Sequence, residues 1–326
     1  MFIKDIRILL LITLFLFSHA SMAKGFRVQS IKIDAPSLLN SKLINEQMQS
    51  LYISLPPSYF ISENRYPVIY YFHGYGGAPS EAHVISGKIL DEYIDEGKAE
   101  EMIVVGVNGS NQFGGSFYAN SPIIGNWEDF VTNDVVNYID NNYRTLTESK
   151  YRGVAGFSMG GYAAINIGFN HPDKFKHVFS LSPGLFDEKG LDKAVKQWIK
   201  SGWSSFLDGY AATFAPDPQG DNNKYWHEWD SESPSVRAKW SSGFGDVPSK
   251  VEDYSEQKKQ LLSIRIEYGN ADSFKWIPEG SRYLIQNLKG KGIAVEAFDH
   301  QGGHDLKSLQ GQHIIEFFTK VFSSEN

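Results

Sequence analysis

One serine stands where a nucleophile could be exposed. Gly156, Ser158 and Gly160 form a G-x-S-x-G pattern. The run 152–157 predicts a short buried strand before the serine, and the run 161–169 predicts the helix after it. A strand that turns into a helix within one residue strains the backbone of the serine and needs small neighbours, and it leaves the hydroxyl exposed. This context predicts a nucleophile, and the alternative is a helix cap with packing glycines.

A serine hydroxyl is a poor nucleophile at neutral pH, so it needs a base and a carboxylate that orients the base. Asp272 follows the predicted strand 263–268, at the end of the sheet where reacting groups gather. His304 follows the predicted strand 294–298 and two glycines, so its ring could reach back over the strand ends. The alternatives are a turn or cap role for Asp272 and His300 as the base.

Two backbone N–H groups are predicted to bind the developing oxyanion. One belongs to Met159, the residue after the nucleophile. The other belongs to Tyr75, in the glycine-rich loop 73–77 that follows the apolar run 68–72. His73 precedes the nucleophile in the chain, and we interpret it as a residue that braces this loop. Taken alone, the loop could also be a simple glycine turn.

The elements that must position these residues alternate along the chain. The predicted strands are 28–33, 49–55, 68–72, 102–107, 154–157, 177–181, 263–268 and 294–298. The predicted helices are 80–96, 127–142, 162–170, 278–289 and 306–322. This alternation predicts an α/β fold with a mostly parallel sheet and helices on both faces. The first two strands alternate in polarity and could form an antiparallel edge. Residues 24–326 are expected to form a single domain.

The segment 185–254 interrupts this alternation before the acid-bearing strand. It has no clear strand, and it holds five of the seven tryptophans among many Gly, Asp, Asn and Pro residues. We expect a long irregular insertion that acts as a lid or pocket wall, or else a structural excursion packed on the flank. Tyr118, Trp127 and the tryptophans of the insertion are the candidate substrate-binding residues, together with Asn120.

The first 23 residues have the features of a signal peptide. Lys4 and Arg7 give a basic start, and residues 8–17 are apolar except for one threonine. In Ser21-Met22-Ala23, the first and last residues are small, at the positions that a signal peptidase reads. Ten apolar residues are too few to span a bilayer as a helix. We therefore expect a periplasmic or secreted protein without stable membrane association after cleavage. The alternative is an uncleaved membrane anchor.

Composition excludes several classes of function. The 326 residues carry a formal net charge of -7, and the basic residues are spread along the chain. This distribution argues against a nucleic-acid partner. The chain has no cysteine, so thiolate catalysis, disulfides and Cys-zinc sites are excluded. No cluster of histidines suggests a metal site, and we expect no cofactor.

Several motifs in one order resemble the esterase D-like branch of the α/β-hydrolases. This branch includes S-formylglutathione hydrolases, feruloyl and acetylxylan esterases, and mycolyltransferases. The matching segments are residues 51–57, 66–68, 73–77, 156–161, 181–183 and 303–305. The chain departs from the pattern at Leu306, where the family often has an aromatic residue.

The resemblance implies an α/β-hydrolase fold with Ser158, Asp272 and His304 as a catalytic triad. It also implies Tyr75 and Met159 as the oxyanion donors. The expected function is a secreted serine carboxylesterase that forms an acyl-enzyme with a small-molecule or polysaccharide ester. The alternatives are an acyltransferase to a sugar or other alcohol with the same triad, and a non-catalytic carbohydrate-binding module. The acyl and alcohol specificity and the oligomeric state stay open.

Overall fold

A computed structural model describes residues 27–43, 46–221, 224–306 and 308–325. The predicted signal peptide, residues 1–23, lies outside the described residues. Within the described residues, no helix is both long and apolar enough to cross a membrane.

The described residues form a main sheet of eight strands and a short two-stranded hairpin. The main-sheet strands are β1 (Val28–Asp34), β2 (Met48–Ser54), β3 (Val68–Phe72), β4 (Ile103–Val107), β7 (Arg152–Phe157), β8 (His177–Leu181), β9 (Ser263–Gly269) and β10 (Glu296–His300). The hairpin strands are β5 (Asn120–Ser121) and β6 (Gly125–Asn126). The order in the main sheet is β1-β2-β4-β3-β7-β8-β9-β10. The first two pairs, β1 with β2 and β2 with β4, are antiparallel, and the other pairs are parallel. This topology confirms the predicted mostly parallel sheet with an antiparallel edge.

The helices alternate with the strands as predicted, except between β8 and β9, where four helices follow one another. The helices are α1 (Lys88–Asp95), α2 (Trp127–Asp129), α3 (Val136–Asn142), α4 (Met159–Asn170), α5 (Gly190–Lys200), α6 (Ser204–Phe214), α7 (Pro234–Ser241), α8 (Val247–Ser255), α9 (Trp276–Gly290) and α10 (Ser308–Ser323). A π-helical turn over Phe130–Val135 joins α2 to α3. The central strands β3, β4 and β8 are buried at every position, because helices cover both faces of the sheet.

The prediction that the insertion has an irregular structure is wrong. Residues 185–254 hold four helices, α5 to α8, although the prediction that they contain no clear strand agrees with the described residues. The turn-forming residues lie at the helix ends: Gly202 has φ +69° after α5, and Ser233 caps α7 with its side chain. Their density suggested a loop because the helices between them are short.

Two predicted boundaries are also wrong. The continuous helix predicted over 80–96 is a 3₁₀ helix over Pro79–Ile85 and then α1. Gly87 separates them with φ +58°, a conformation that a helix interior does not contain. The last strand is Glu296–His300 rather than 294–298, because its pairing with β9 begins at Glu296.

His177, the first residue of β8, makes the stability of the fold depend on pH. It is 1% exposed, its Nε2 donates to the carbonyl of Lys150 at 2.8 Å, and its Nδ1 accepts from the hydroxyl of Ser263 at 2.8 Å. Burial lowers the pKa of His177 to about 4, from 6.5 in an exposed histidine. Between these values the unfolded chain binds a proton that the folded chain does not, so the free energy of unfolding falls as the pH falls.

We expect the wild-type protein to lose about 3 kcal/mol of unfolding free energy through this group between pH 6.5 and pH 4. His177→Gln keeps a donor for the carbonyl but cannot titrate, so its loss over this range should be smaller by about that amount. Urea unfolding at a series of pH values measures the difference. His83→Gln, at an exposed histidine, is the control. Equal pH dependence for wild type and His177→Gln would contradict the assignment.

Candidate active site

Ser158 lies at the turn between β7 and α4, and its backbone has φ +57°. A side chain at Gly156 would collide with the carbonyl of Gly160, and one at Gly160 would collide with the carbonyl of Phe72. Both positions therefore require glycine so that strand and helix can meet at the serine. The G-x-S-x-G spacing has this steric cause, and it leaves the Ser158 hydroxyl at the carboxyl end of the sheet.

The structure brings the three predicted site residues together from separate elements. Nε2 of His304 lies 2.9 Å from Oγ of Ser158, and Nδ1 lies 2.7 Å from Oδ2 of Asp272. Asp272 is 0% exposed, and its other oxygen accepts the N–H of Phe274 at 2.7 Å. A carboxylate only accepts hydrogen bonds, so Nδ1 carries the proton of the neutral ring. Nε2 is then free to accept the proton of the serine hydroxyl.

Two aromatic rings hold the imidazole of His304 in this orientation. The ring of Phe157 lies 4.8 Å from it at an interplanar angle of 34°, and the ring of Phe274 lies 5.1 Å away at 88°. His300, the alternative base, ends β10 and accepts the N–H of Gly302 through Nδ1 at 3.0 Å. The geometry therefore favours His304 over His300.

The predicted oxyanion donors, Tyr75 and Met159, both line the cavity at Ser158. Within the described part of the chain, neither backbone N–H has an acceptor. The neighbouring amide of Gly74 is occupied, because it donates to Oε2 of Glu81 at 3.0 Å. Met159 begins α4, so its N–H is one of the free donors of a helix N-terminus. Two unoccupied donors next to a nucleophile suit a developing oxyanion.

The cavity above Ser158 has a volume of about 500 Å³. Aromatic side chains line it, and they come from the insertion and from the segment after Asp272: Trp198, Trp203, Phe206, Phe244, Phe274 and Trp276. The insertion is therefore a wall of this cavity. That it moves as a lid stays a prediction.

Only some of the tryptophans of the insertion contact this space. Trp198 and Trp203 line the cavity. Trp240 is 1% exposed and donates to a backbone carbonyl through Nε1, and Trp229 packs on its ring at 5.5 Å. Trp226 donates to a carboxylate of α6 at 3.2 Å. The last three pack the insertion together.

The prediction that Tyr118 and Trp127 bind substrate is wrong. Tyr118 is 0% exposed, and its hydroxyl is hydrogen-bonded to the backbone at the ends of β3 and β4. Trp127 is 1% exposed and donates to the carbonyl of Ile124 at 2.8 Å. Asn120 accepts the N–H groups at the start of α2 instead of reaching the cavity. Large aromatic residues dominate protein cores, and these two follow that tendency.

Sequence reasoning missed several residues that line the cavity. Phe274 and Trp276 follow Asp272 closely, so their place in the acid-bearing loop was a signal that could have identified them. Glu81 is the one acidic side chain among the described residues that line the cavity. Burial raises the pKa of Glu81, although the N–H of Gly74 partly offsets the shift. No spacing in the sequence indicates the hydrogen bond between Glu81 and the N–H of Gly74.

No group of three or more His, Asp and Glu side chains in the described ranges could hold a metal ion.

Comparison with known proteins assigns the family. A family model described as "Putative esterase" matches residues 41–318. Esterase Rv1288 of Mycobacterium tuberculosis is 33% identical over 263 residues, which are 77% of this chain and 51% of that protein. An endo-1,4-beta-xylanase/feruloyl esterase of Xylanibacter ruminicola is 32% identical over 163 residues, 46% of this chain and 22% of that protein. The chain thus spans about half the length of the first relative, and less of the second.

A solved structure of a ferulic acid esterase superposes with a TM-score of 0.63 at 22% identity, covering 91% of this chain and 100% of that one. Such a likeness concerns the fold, and it agrees with the strand order of the main sheet. The protein has the α/β-hydrolase fold, and the chain belongs to the esterase family.

Proposed function

We propose that the protein is a serine carboxylesterase that works through an acyl-enzyme. The observation that carries this proposal is His304, hydrogen-bonded at once to the hydroxyl of Ser158 and to the buried carboxylate of Asp272. A non-catalytic binding module would not need these three groups in this arrangement. The two free amides of Tyr75 and Met159 support the same reaction.

The first half-reaction forms the acyl-enzyme. Nε2 of His304 takes the proton of Ser158 as Oγ attacks the ester carbonyl carbon, and the carbonyl oxygen becomes an oxyanion held by the amides of Tyr75 and Met159. The C–O bond to the alcohol then breaks, and the imidazolium protonates the departing oxygen. Asp272 stays ionised and stabilises the imidazolium. In the second half-reaction, Nε2 of His304 takes a proton from water as the water oxygen attacks the acyl carbon. The bond from that carbon to Oγ of Ser158 then breaks, the imidazolium returns the proton to Oγ, and the acid is released.

We propose a neutral ester with an aryl or medium-length acyl group as the substrate. A cavity of about 500 Å³ with aromatic walls accommodates such a group and excludes water around it. No lysine or arginine is among the described residues that line the cavity, so an anionic acyl group would have no permanently charged cation to pair with there. One relative carries feruloyl esterase in its name, and an aryl-substituted acyl group is within this class.

We also propose that residues 1–23 direct export and that residues 24–326 form one catalytic domain in the periplasm or outside the cell. The basic start, the apolar run and the small side chains of Ser21 and Ala23 support this proposal. N-terminal sequencing of the exported protein tests it, and a first residue other than Lys24 would contradict the cleavage site.

Ester hydrolysis and trapping of the acyl-enzyme test the proposed mechanism. The purified protein is mixed with p-nitrophenyl esters of graded acyl length and with methyl ferulate. Samples quenched in acid are digested, and the peptide masses are measured by mass spectrometry. We expect turnover and a mass increase equal to the acyl group on the peptide that contains Ser158. Turnover without an adduct at Ser158, or an adduct elsewhere, would overturn the mechanism. Diversion of the acyl group to an added alcohol in preference to water would instead identify an acyltransferase.

A further inference from the structure

Two consecutive residues near the active site have strained backbones. Phe117 has φ 56° and Tyr118 has φ 51°, and both side chains are 0% exposed. The left-handed region is unfavourable for residues with a side chain, and aromatic residues gain no local hydrogen bond there. Such conformations persist only where the surrounding structure over-determines them, and they concentrate at functional sites. The contacts of Tyr118 indicate what the strain is for.

The hydroxyl of Tyr118 joins the ends of two parallel strands. It accepts the backbone N–H of His73, which follows β3, at 3.0 Å, and donates to the carbonyl of Val107, the last residue of β4, at 3.0 Å. Its ring lies 4.8 Å from the ring of Phe72 and directly against Gly109, where any side chain would collide with it. The ring of Tyr118 is therefore packed on several sides, and its hydroxyl is fixed by two hydrogen bonds, one accepted and one donated.

The side chain of His73 carries this constraint to the next peptide. Its Nε2 accepts the N–H of Gly109 at 3.0 Å, so Nδ1 carries the proton and donates to the carbonyl of Gly74 at 2.7 Å. Burial lowers the pKa of His73, which favours the neutral ring, and these two hydrogen bonds select its tautomer. The carbonyl of Gly74 and the N–H of Tyr75 belong to one planar trans peptide and point in opposite directions. Fixing the carbonyl therefore fixes the direction of the Tyr75 N–H.

We propose that Tyr118 is a positioning residue for the oxyanion hole. Its hydroxyl holds the backbone of His73, the imidazole of His73 holds the carbonyl of Gly74, and this peptide aims the N–H of Tyr75 at the oxyanion. The inference rests on the proposed ester hydrolysis, because it assigns a role to a donor of that reaction. Tyr118 touches no reacting atom and acts through His73 and the loop.

Tyr118→Phe removes the hydroxyl and keeps the ring. A misdirected oxyanion donor weakens binding of the transition state without weakening binding of the substrate. Losing one donor outright costs about 10²- to 10³-fold in kcat, so a misdirected donor should cost about 10- to 100-fold, with KM unchanged. A trifluoromethyl ketone forms an oxyanion when Oγ of the serine attacks its carbonyl carbon. The affinity for this inhibitor should fall by the same factor. Rates are divided by the number of active sites, counted from the p-nitrophenol burst.

Tyr71→Phe is the matched control. Tyr71 is a fully buried tyrosine of β3, and its hydroxyl has no hydrogen-bond partner in the described part of the chain. We expect wild-type kcat for this variant, because it removes a hydroxyl without touching the loop. A merely structural role for Tyr118 would lower the melting temperature and leave kcat per site and inhibitor affinity unchanged.

The outcomes separate this inference from the proposed function. A Tyr118→Phe enzyme with kcat within twofold of wild type, or an equal loss in Tyr71→Phe, would overturn the positioning role while ester hydrolysis stands. If Tyr118→Phe does not fold, His73→Ala takes its place, since it removes the imidazole donor to the carbonyl of Gly74 and leaves the N–H of Gly77, 3.0 Å away, as the other donor. A His73→Ala enzyme with unchanged kcat would overturn the role as well. Activity that survives loss of Ser158 would instead overturn the proposed function.

Discussion

Ser158→Ala is expected to lower kcat/KM for p-nitrophenyl butyrate by at least about 10⁴-fold, because no other group can form the acyl-enzyme. Removing the nucleophile of a triad leaves only the catalysis that the oxyanion donors and substrate binding supply. KM should change little, since the cavity walls are untouched. Initial rates at several substrate concentrations measure both constants, and the melting temperature shows that the variant is folded.

Ser204→Ala is the matched control for this experiment. Ser204 lines the same cavity at the start of α6. The serine to which Nε2 of His304 is hydrogen-bonded is Ser158. We expect the control to keep wild-type kcat. Equal rates for wild type and Ser158→Ala would refute the assignment of the nucleophile, and with it the interpretation of the hydrogen-bonded residues as a triad.

Asp272→Asn is expected to lower kcat by about 10⁴-fold at neutral pH, the size of the effect in a triad of this geometry. In the wild type, one carboxylate oxygen accepts the N–H of Phe274 and the other accepts Nδ1–H of His304. An asparagine would keep its carbonyl oxygen on Phe274 and turn its NH₂ group toward Nδ1. Nδ1 would then have to accept, so the proton would move to Nε2, which could no longer deprotonate Ser158.

The measurement is kcat for a p-nitrophenyl ester across pH 6 to 9, together with the melting temperature. Asp299→Asn is the control, because Asp299 is an exposed carboxylate whose partner, Asn270, is in the same acid-bearing loop. It should retain kcat. An Asp272→Asn enzyme within tenfold of wild type would show that the buried carboxylate does not orient the base.

The main features of the sheet and of the site could be predicted from local pattern. Buried parallel strands read as short apolar runs, and β3 begins and ends with one such run. The predicted bounds of β8 are also those of the structure. Loops at the carboxyl ends of parallel strands meet at one edge of the sheet, so a nucleophile, an acid and a base that each follow a strand are expected to be close. Ser158, Asp272 and His304 satisfy this rule.

The insertion could not be predicted in the same way. Its four short helices are separated by residues that favour turns, and five tryptophans suggested packing without showing what they pack against. Which tryptophans reach the cavity depends on how α5 and α6 lie over Ser158, a contact between segments far apart in the chain. Local patterns hold no information about such contacts.

The amino-acid sequence by itself determined the strand and helix alternation, the strained serine turn and the order of the acid and base, because these follow from local sterics and hydrophobic periodicity. Only the tertiary structure decided the cavity and the roles of Tyr118 and Glu81. An aromatic ring that binds substrate and one that braces a loop look the same in a sequence. They differ in which distant backbone atoms their polar groups meet, and the packing of the whole chain decides that.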